Sequence, residues 1–377
     1  MKTEVEDKLD RIHHIWSSFI TEFNYCSRKI EHNSVIKINY FIDILGYFKD
    51  TIDIVFTTKQ YSTYSEKFSF TISFLQAIYI HEDFVQEMLE IFKTGIDKGI
   101  LKKDPTYYLN REIRNELVGH PIRKNNGGLI SSTLFSYNAQ KDEIQYLRYH
   151  KDNDFKFEDK TFKIADIQER HMKFLEKYFD IILEKLKIIL EDFLLPLNKL
   201  ENVIKKRDFK TVLKLVDLYF ESIYKSDYCY DKHSLIKIYN RREEHKRYQH
   251  FIDCFYIDLQ TSLADTRASI KEVFESKLID KQSFEKLPVL KIEIIQSFPE
   301  DNLINMESIK ESFHYEIGKI ATNRDPSDFD FFGGTLKTKF QSNKLVIDEL
   351  EHMKLNIFDE IEYYTSLGLI RAELKEE

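Results

Sequence analysis

Chain breakers are scarce in this sequence: 10 Gly and 6 Pro among 377 residues, about 4% of the chain, against a usual share of roughly 12%. Tight hairpin turns draw on Gly for positive φ, and strand corners draw on both residue types. So small a supply excludes collagen-like, propeller and many-stranded all-β architectures, and the expected class is mainly α. Hydrophobic residues make up 42% and charged residues 32%, so there is ample apolar surface to bury and the chain is not disordered. At roughly 100–200 residues per domain, the length predicts two or three domains.

Charge limits what the surface can do. The formal net charge is −8, divided as −3 before Pro196 and −5 from it onward. A chain that coats nucleic acid over its whole surface is basic, so any such contact here must come from a local patch. The cysteines, Cys26, Cys229 and Cys254, lie far apart without CxxC spacing. That pattern excludes a disulfide framework and a cysteine zinc site, and it fits a reducing compartment. The acidic start, Met1 to Asp10, lacks the apolar core of a signal peptide. The most apolar stretch, Ile181 to Leu197, carries Glu184, Lys185, Lys187, Glu191 and Asp192, which a membrane span does not tolerate. The expectation is a soluble, cytoplasmic protein without membrane contact.

Helical spacing recurs from Val5 to about Val55, with Trp16, Phe19 and Phe23 on one stripe. A long helix is expected from about Ser65 to Lys93, broken by Gly95 and Gly99, and Asp104-Pro105 opens a shorter one. Between residues 129 and 150 two β-rich runs flank the polar stretch Asn138 to Glu143, which predicts one inserted β-hairpin. Asp166 and Glu169 form a capping-box pattern. Behind them Leu175, Phe179, Ile182, Leu186, Ile189 and Phe193 make a heptad-like seam that needs a partner helix. Pro196 is expected to end that helix. The predicted organisation is a helical domain over residues 1–196 with the hairpin inside it, then a second all-helical unit over 197–377 whose role the sequence leaves open. In that unit helices are expected near Asp208–Tyr224, Arg241–Lys277 and Asn305–Thr322, then a loop from Asn323 to Gly334 and a last helix opened by Ser342.

One segment carries chemistry: Arg111-Glu-Ile-Arg-Asn-Glu-Leu-Val-Gly-His-Pro121. On a continuous α-helix Arg114 and His120 diverge by about 120°. Gly119 and Pro121 predict a broken helix end that frees the imidazole to approach the guanidinium. Histidine moves a proton near neutral pH, and arginine presents a planar fork to a phosphate. Asn115 offers an amide for a phosphate oxygen or a ribose hydroxyl. From Lys98 to Lys124 seven basic residues face three acidic ones, and a local positive field is what a phosphate backbone requires. Arg111, Arg123 and Lys124 are the candidate RNA-gripping residues; a solvated helix or loop charge is the plainer account of each. For Arg114 and His120 the plain account is a structural helix end, with Arg114 paired to Glu82 or another acid and His120 capping carbonyls. Other patterns fall short. His13-His14 lacks a carboxylate at ligand spacing, Glu243-Glu244-His245 lacks the H-E-x-x-H order, and Phe332-Gly333-Gly334 reads as a mobile turn, not a phosphate loop.

With a polar residue directly after the arginine, a helix end and a preceding long helix, the segment resembles the HEPN superfamily of compact helical domains, marked by an R-x(4–6)-H motif. The match is Arg114, Asn115, four residues, then His120, and the resemblance covers about residues 5–195. It implies a helical bundle acting as a metal-independent endoribonuclease, often in toxin, antiphage or RNA-processing systems. Arg114 and His120 would be the catalytic pair and Asn115 the supporting group. The resemblance further implies a homodimer with a composite site, a possible antitoxin or other protein partner, and no metal or cofactor. A subgroup with tyrosine two residues after the histidine is not matched, since that position is Ile122. Inactive relatives imply the alternative, a non-catalytic helical module that binds RNA, a nucleotide or a protein.

Overall fold

Capping side chains set most of the helix starts. The computed structural model describes residues 2–31, 39–57, 61–125, 128–135, 142–154, 156–204, 206–220, 232–275, 313–322 and 324–375. These form 14 α-helices and one four-stranded antiparallel sheet, so the chain is mainly α. It divides into two compact units. The first holds the described residues of 2–21, 25–193 and 273–275, and the second those of 22–24, 194–272 and 313–375.

The first unit begins with α1 (Lys2–Ile15), which runs into a π-type turn, Trp16–Ile20. Then come α2 (Asn24–Ser27), α3 (Tyr40–Phe56), α4 (Tyr64–Ile91), α5 (Lys98–Leu101) and α6 (Pro105–Arg114). Thr63 opens α4 by accepting from the Glu66 N–H, Asp97 opens α5, and Asp104 opens α6 with Pro105 in the first helical position. The exit of α4 needs positive φ at Lys93 (50°) and Gly95 (82°). Trp16 is fully buried with its ring 4.1 Å from Phe41. Phe74, Leu75, Ile78, Ile113, Ile144 and Ile167 continue the core from helix to sheet.

The expected hairpin is present as β2 with β3, inside a larger sheet: β1 (Ile122–Asn125), β2 (Gly128–Leu134), β3 (Glu143–His150) and β4 (Phe157–Lys163) pair in sequence order. Residues 136–141, most of the predicted turn, lie outside the described residues. Register places Ser132 opposite Arg148, and Arg148 opposite Glu158. Ile130, Ser132, Ile144 and Tyr146 are buried on that face, while alternate residues of β4 face outward.

Next is α7 (Ile164–Ile204), and two expectations about it are corrected. The helix starts directly after β4, with the Ile164 N–H donating to Asp142 C=O. Asp166 therefore lies inside the first turn and is not a cap. Nor does Pro196 end the helix. A proline removes the N–H that would satisfy the carbonyl four residues back, and the Tyr25 hydroxyl donates to that carbonyl, Asp192 C=O, at 3.3 Å instead. The seam found its partner: Leu175, Phe179, Ile182, Leu186, Ile189 and Phe193 are all buried, with Phe179 against Phe48 of α3.

The second unit contains the end of α7 and then α8 (Phe209–Phe220), α9 (Lys232–Asn240), α10 (Lys246–Glu275), α11 (His314–Thr322), α12 (Pro326–Lys339), α13 (Lys344–Leu355) and α14 (Glu360–Lys375). The parts of the expected helices that fall on residues 221–231, 276–277 and 305–312 lie outside the described residues. The loop expected at Asn323 to Gly334 is instead mostly α12, capped by Asp325 with Pro326 behind it. Gly333 sits mid-helix, where a Cβ would come within 3.0 Å of the Phe329 ring. Asn343, not Ser342, caps α13. Leu336, Leu350, Met353, Tyr363 and Ile370 form the core. Through it runs a buried ion pair, Arg247 to Glu349 at 2.9 and 3.0 Å. Among the described residues no helix is long and apolar enough to cross a membrane, and no cluster of His, Cys, Asp and Glu suits a metal ion.

Candidate active site

Helix α6 buries Tyr107, Asn110 and Ile113 at a spacing of three, which turns the first-unit core-facing side inward and leaves Arg111 and Arg114 along its flank. Arg111 meets Glu82 and Asp83 of α4, while Arg114, three residues further on, meets Gln76, six residues earlier, so the two helices run antiparallel. Past Arg114 the helix widens into a second π-type turn, Asn115–Gly119. The His120 N–H donates to Asn115 C=O at 2.7 Å and closes it. Such turns recur at functional sites.

This widening replaces the simple unwound exit expected from the sequence, and it fixes Arg114. Its guanidinium crosses the backbone at Gly119, where a Cβ would lie 2.6 Å from Nη1. Nε and Nη2 donate to Gln76 Oε1 at 3.2 and 3.0 Å, and Nη1 donates to Asn115 Oδ1 at 3.1 Å. The group lies 3.9 Å from the centre of the Tyr79 ring. Among the described residues all its hydrogen-bonding partners are neutral amides; its charge acts on the Glu82 carboxyl, but that carboxyl is hydrogen-bonded to Arg111.

Arg111 has the opposite environment. It donates to Glu82 at 3.4 Å and Asp83 at 2.6 Å, and it stacks on Tyr79 and Tyr107. Burial opposes its charge, but the hydrogen bond to Asp83 and the electrostatic pull of Tyr107, Asp83 and Glu82 together outweigh that and raise its pKa. Burial also pushes the Glu82 carboxyl well above its ordinary range, against the pull of Arg111. The glutamate that sequence alone offered to Arg114 thus belongs to Arg111. The local surplus of basic residues counted along the chain is reduced by these two acids.

His120 leaves helical geometry at φ −143° and ψ 63° and its side chain is exposed. Among the described residues its ring makes no hydrogen bond, either to carbonyls or to Arg114. Arg123 Nη1 donates to the His120 carbonyl at 3.4 Å, and its Nη2 donates to Glu116 Oε1 at 2.6 Å. Arg148 lies 3.6 Å from the same oxygen, while the Tyr146 hydroxyl donates to Glu116 Oε2 at 2.6 Å. Burial disfavours the Glu116 carboxylate, yet Tyr146, Arg123 and Arg148 together hold its pKa below the ordinary value. Lys124 is exposed and has no ion pair among the described residues.

No family model matches the chain, and neither a curated protein nor a solved structure matches it. The residues themselves therefore carry the functional argument. The structure brings Arg114, Asn115 and the backbone leading to His120 together, puts Arg123 beside that backbone, and turns Arg111 away towards acids. Sequence alone gave no sign of Gln76 and Tyr79, which lie a whole helix upstream, or of Tyr146 and Arg148 on β3. A guanidinium hydrogen-bonded only to amides can hold a phosphate, and an exposed imidazole can move a proton.

Proposed function

We propose that the chain is a metal-independent endoribonuclease of HEPN type, with Arg114 and His120 as catalytic residues and Asn115 in support. One observation carries this reading: Arg114 is oriented by three hydrogen bonds to amides alone, so a preorganised cation stays free for the charge that develops on phosphorus. The ribose 2′-oxygen bonds to the adjacent phosphorus as the P–O5′ bond breaks. His120 accepts the 2′-hydroxyl proton, and the imidazolium of the same or a second copy returns a proton to the departing 5′-oxygen. The products are a 2′,3′-cyclic phosphate and a 5′-hydroxyl. RNA supplies its own nucleophile, so this chemistry calls for no metal or other cofactor, and DNA is refractory.

A homodimer that pairs two motifs, a cytoplasmic toxin or antiphage setting, and an antitoxin or other protein partner belong to the same proposal. The alternative is a non-catalytic helical module that binds RNA, a nucleotide or a protein on this surface. The lack of a hydrogen bond between His120 and Arg114 favours that alternative. Labelled RNA incubated with the purified chain in excess EDTA separates the two. Cleavage that disappears in both His120→Ala and Arg114→Ala supports the enzyme. Cleavage unchanged in both variants refutes it.

A further inference from the structure

We infer that Arg123, Arg148 and Ser132 form a second phosphate subsite, flanking the one at Arg114. The inference rests on the ribonuclease reading and extends it from the scissile phosphate to a neighbouring one. Its basis is a mismatch of charge and of hydrogen bonds. Arg123 and Arg148 converge on one oxygen of one carboxylate, Glu116 Oε1, at 2.6 and 3.6 Å. Two cations share that one anion, and with Lys160 and Glu158 added the cluster still keeps a surplus positive charge. Glu116 is anchored by Tyr146 through its other oxygen, so the carboxylate stays put while the guanidinium groups retain spare donors.

The hydrogen-bond inventory is also incomplete. Among the described residues buried Arg148 Nε has only the long contact to Glu116 Oε1 at 3.6 Å, and the hydroxyl of Ser132, a residue only 5% exposed, has no hydrogen-bond partner. Register sets Ser132 and Arg148 directly opposite each other on the same face of β2 and β3, which brings such side chains to about 5 Å. Buried polar atoms are normally paired, so an unpartnered hydroxyl beside an arginine nitrogen beyond hydrogen-bond reach of its carboxylate calls for an explanation. An anion with several acceptor oxygens supplies one. A phosphate accepts from the guanidinium fork and from a hydroxyl at once.

The position suits a second phosphate of the same strand. Arg123 holds the His120 carbonyl, so this cluster adjoins the backbone of the catalytic residue. Around it Lys160 pairs with Glu158, which faces Arg148 across β3 and β4. Counting Arg114, Arg123, Arg148 and Lys160 against Glu116 and Glu158 leaves a net charge of +2 in a chain of −8.

The test uses the full chain and a fluorescein-labelled 12-nucleotide 2′-O-methyl RNA, which cannot undergo the proposed cleavage. Anisotropy gives Kd at several salt concentrations between about 50 and 200 mM, and the slope of log K against log salt changes by about 0.7 for each phosphate contact on a single strand. Arg148→Gln is expected to weaken binding several-fold and to flatten the slope by about 0.7. Glu116→Gln, which keeps the shape and releases both arginines, is expected to tighten binding several-fold, a direction that damage to the fold cannot produce. If Arg148→Gln and Glu116→Gln both bind with the wild-type Kd and slope, the subsite is refuted. The ribonuclease reading then still stands on His120→Ala and Arg114→Ala. If the wild-type chain binds no RNA, that reading falls and the subsite with it.

Discussion

Acid weakens the first unit through a pair of buried histidines. His81 and His171 are both fully buried, and His81 Nδ1 lies 3.0 Å from His171 Nε2. The Thr51 hydroxyl donates to Tyr47 C=O at 2.8 Å, so it accepts from His81 Nε2 at 2.8 Å. His81 Nδ1 is then an acceptor, His171 Nε2 donates to it, and His171 Nδ1 is left buried with no hydrogen-bond partner among the described residues. Both rings are neutral in this chain of bonds. Burial lowers the pKa of each, to about 3 for His171. A depressed histidine stabilises the fold fully above its unfolded pKa of about 6.5 and loses that contribution as pH falls towards the folded value.

At pH 5 the gap of about 1.5 units below the unfolded value amounts to about 2 kcal/mol for His171 alone, at 1.36 kcal/mol per unit. His171→Gln removes the titration while its amide still donates towards His81. Trp16 is the chain's one tryptophan and is buried in the first unit, so its fluorescence in urea reports that unit. Between pH 7.5 and pH 5 the wild type is expected to lose about 2 kcal/mol more than the variant, whatever the variant's own packing cost. Equal losses in the two proteins would refute the reasoning.

Gly119→Ala puts a methyl group 2.6 Å from Arg114 Nη1, so the guanidinium must move; single-turnover RNA cleavage is expected to fall by about 100-fold with unchanged circular dichroism, and a rate within twofold of wild type counts against the assigned role. Asp104 caps α6 and accepts from Thr106, Lys177 and Tyr178. Burial opposes its charge, but these bonds win and hold its pKa at about 2. Its stabilisation is present above about pH 4 and lost as pH falls towards 2, and urea titration of Asp104→Asn at pH 7 is expected to show a loss of about 1–2 kcal/mol. In the second unit, Arg247→Met strands Glu349, which is 1% exposed, and chemical denaturation is expected to register a loss of about 3–5 kcal/mol; the double change with Glu349→Leu recovers most of it.

How legible these features were depended on whether their cause was local. Asp104-Pro105 announced α6 because an acceptor side chain and a fixed φ act within one turn. The same signal stands at Asp325-Pro326 and opens α12, but the two glycines behind it suggested a loop. Packing of Gly333 on Phe329 overrides their low helix propensity. β2 and β3 are rich in β-branched and aromatic residues. β1 is only four residues long, and β4 reads Phe-Glu-Asp-Lys-Thr-Phe-Lys with one face in solvent; their pairing is set by neighbours, not by their own composition. The continuation past Pro196 depends on Tyr25, 167 residues upstream of the carbonyl it satisfies, which no window of local sequence contains. In the candidate site Arg114, Asn115 and His120 were visible as a motif. What distinguishes Arg114 from Arg111 was not.

That distinction comes from helix register. Gln76, Tyr79, Glu82 and Asp83 lie on one face of α4, at offsets of zero, three, six and seven. Arg111 and Arg114, three apart on the antiparallel α6, read opposite ends of that face. Both guanidinium groups lie about 4 Å from the Tyr79 ring centre. Two cations on one aromatic ring repel each other, and the fold lowers that repulsion with carboxylates that hydrogen-bond to only one of them. Arg111 becomes a neutralised strut between the helices. Arg114, held by an amide of the same shape as a carboxylate but without its charge, has no hydrogen-bonded carboxylate among the described residues. An acid in place of Gln76 would hold the guanidinium as firmly and leave it nothing to offer a phosphate. The proposed phosphate site thus depends on Gln76, the one α4 hydrogen-bond partner of the two arginines that is an amide and not a carboxylate.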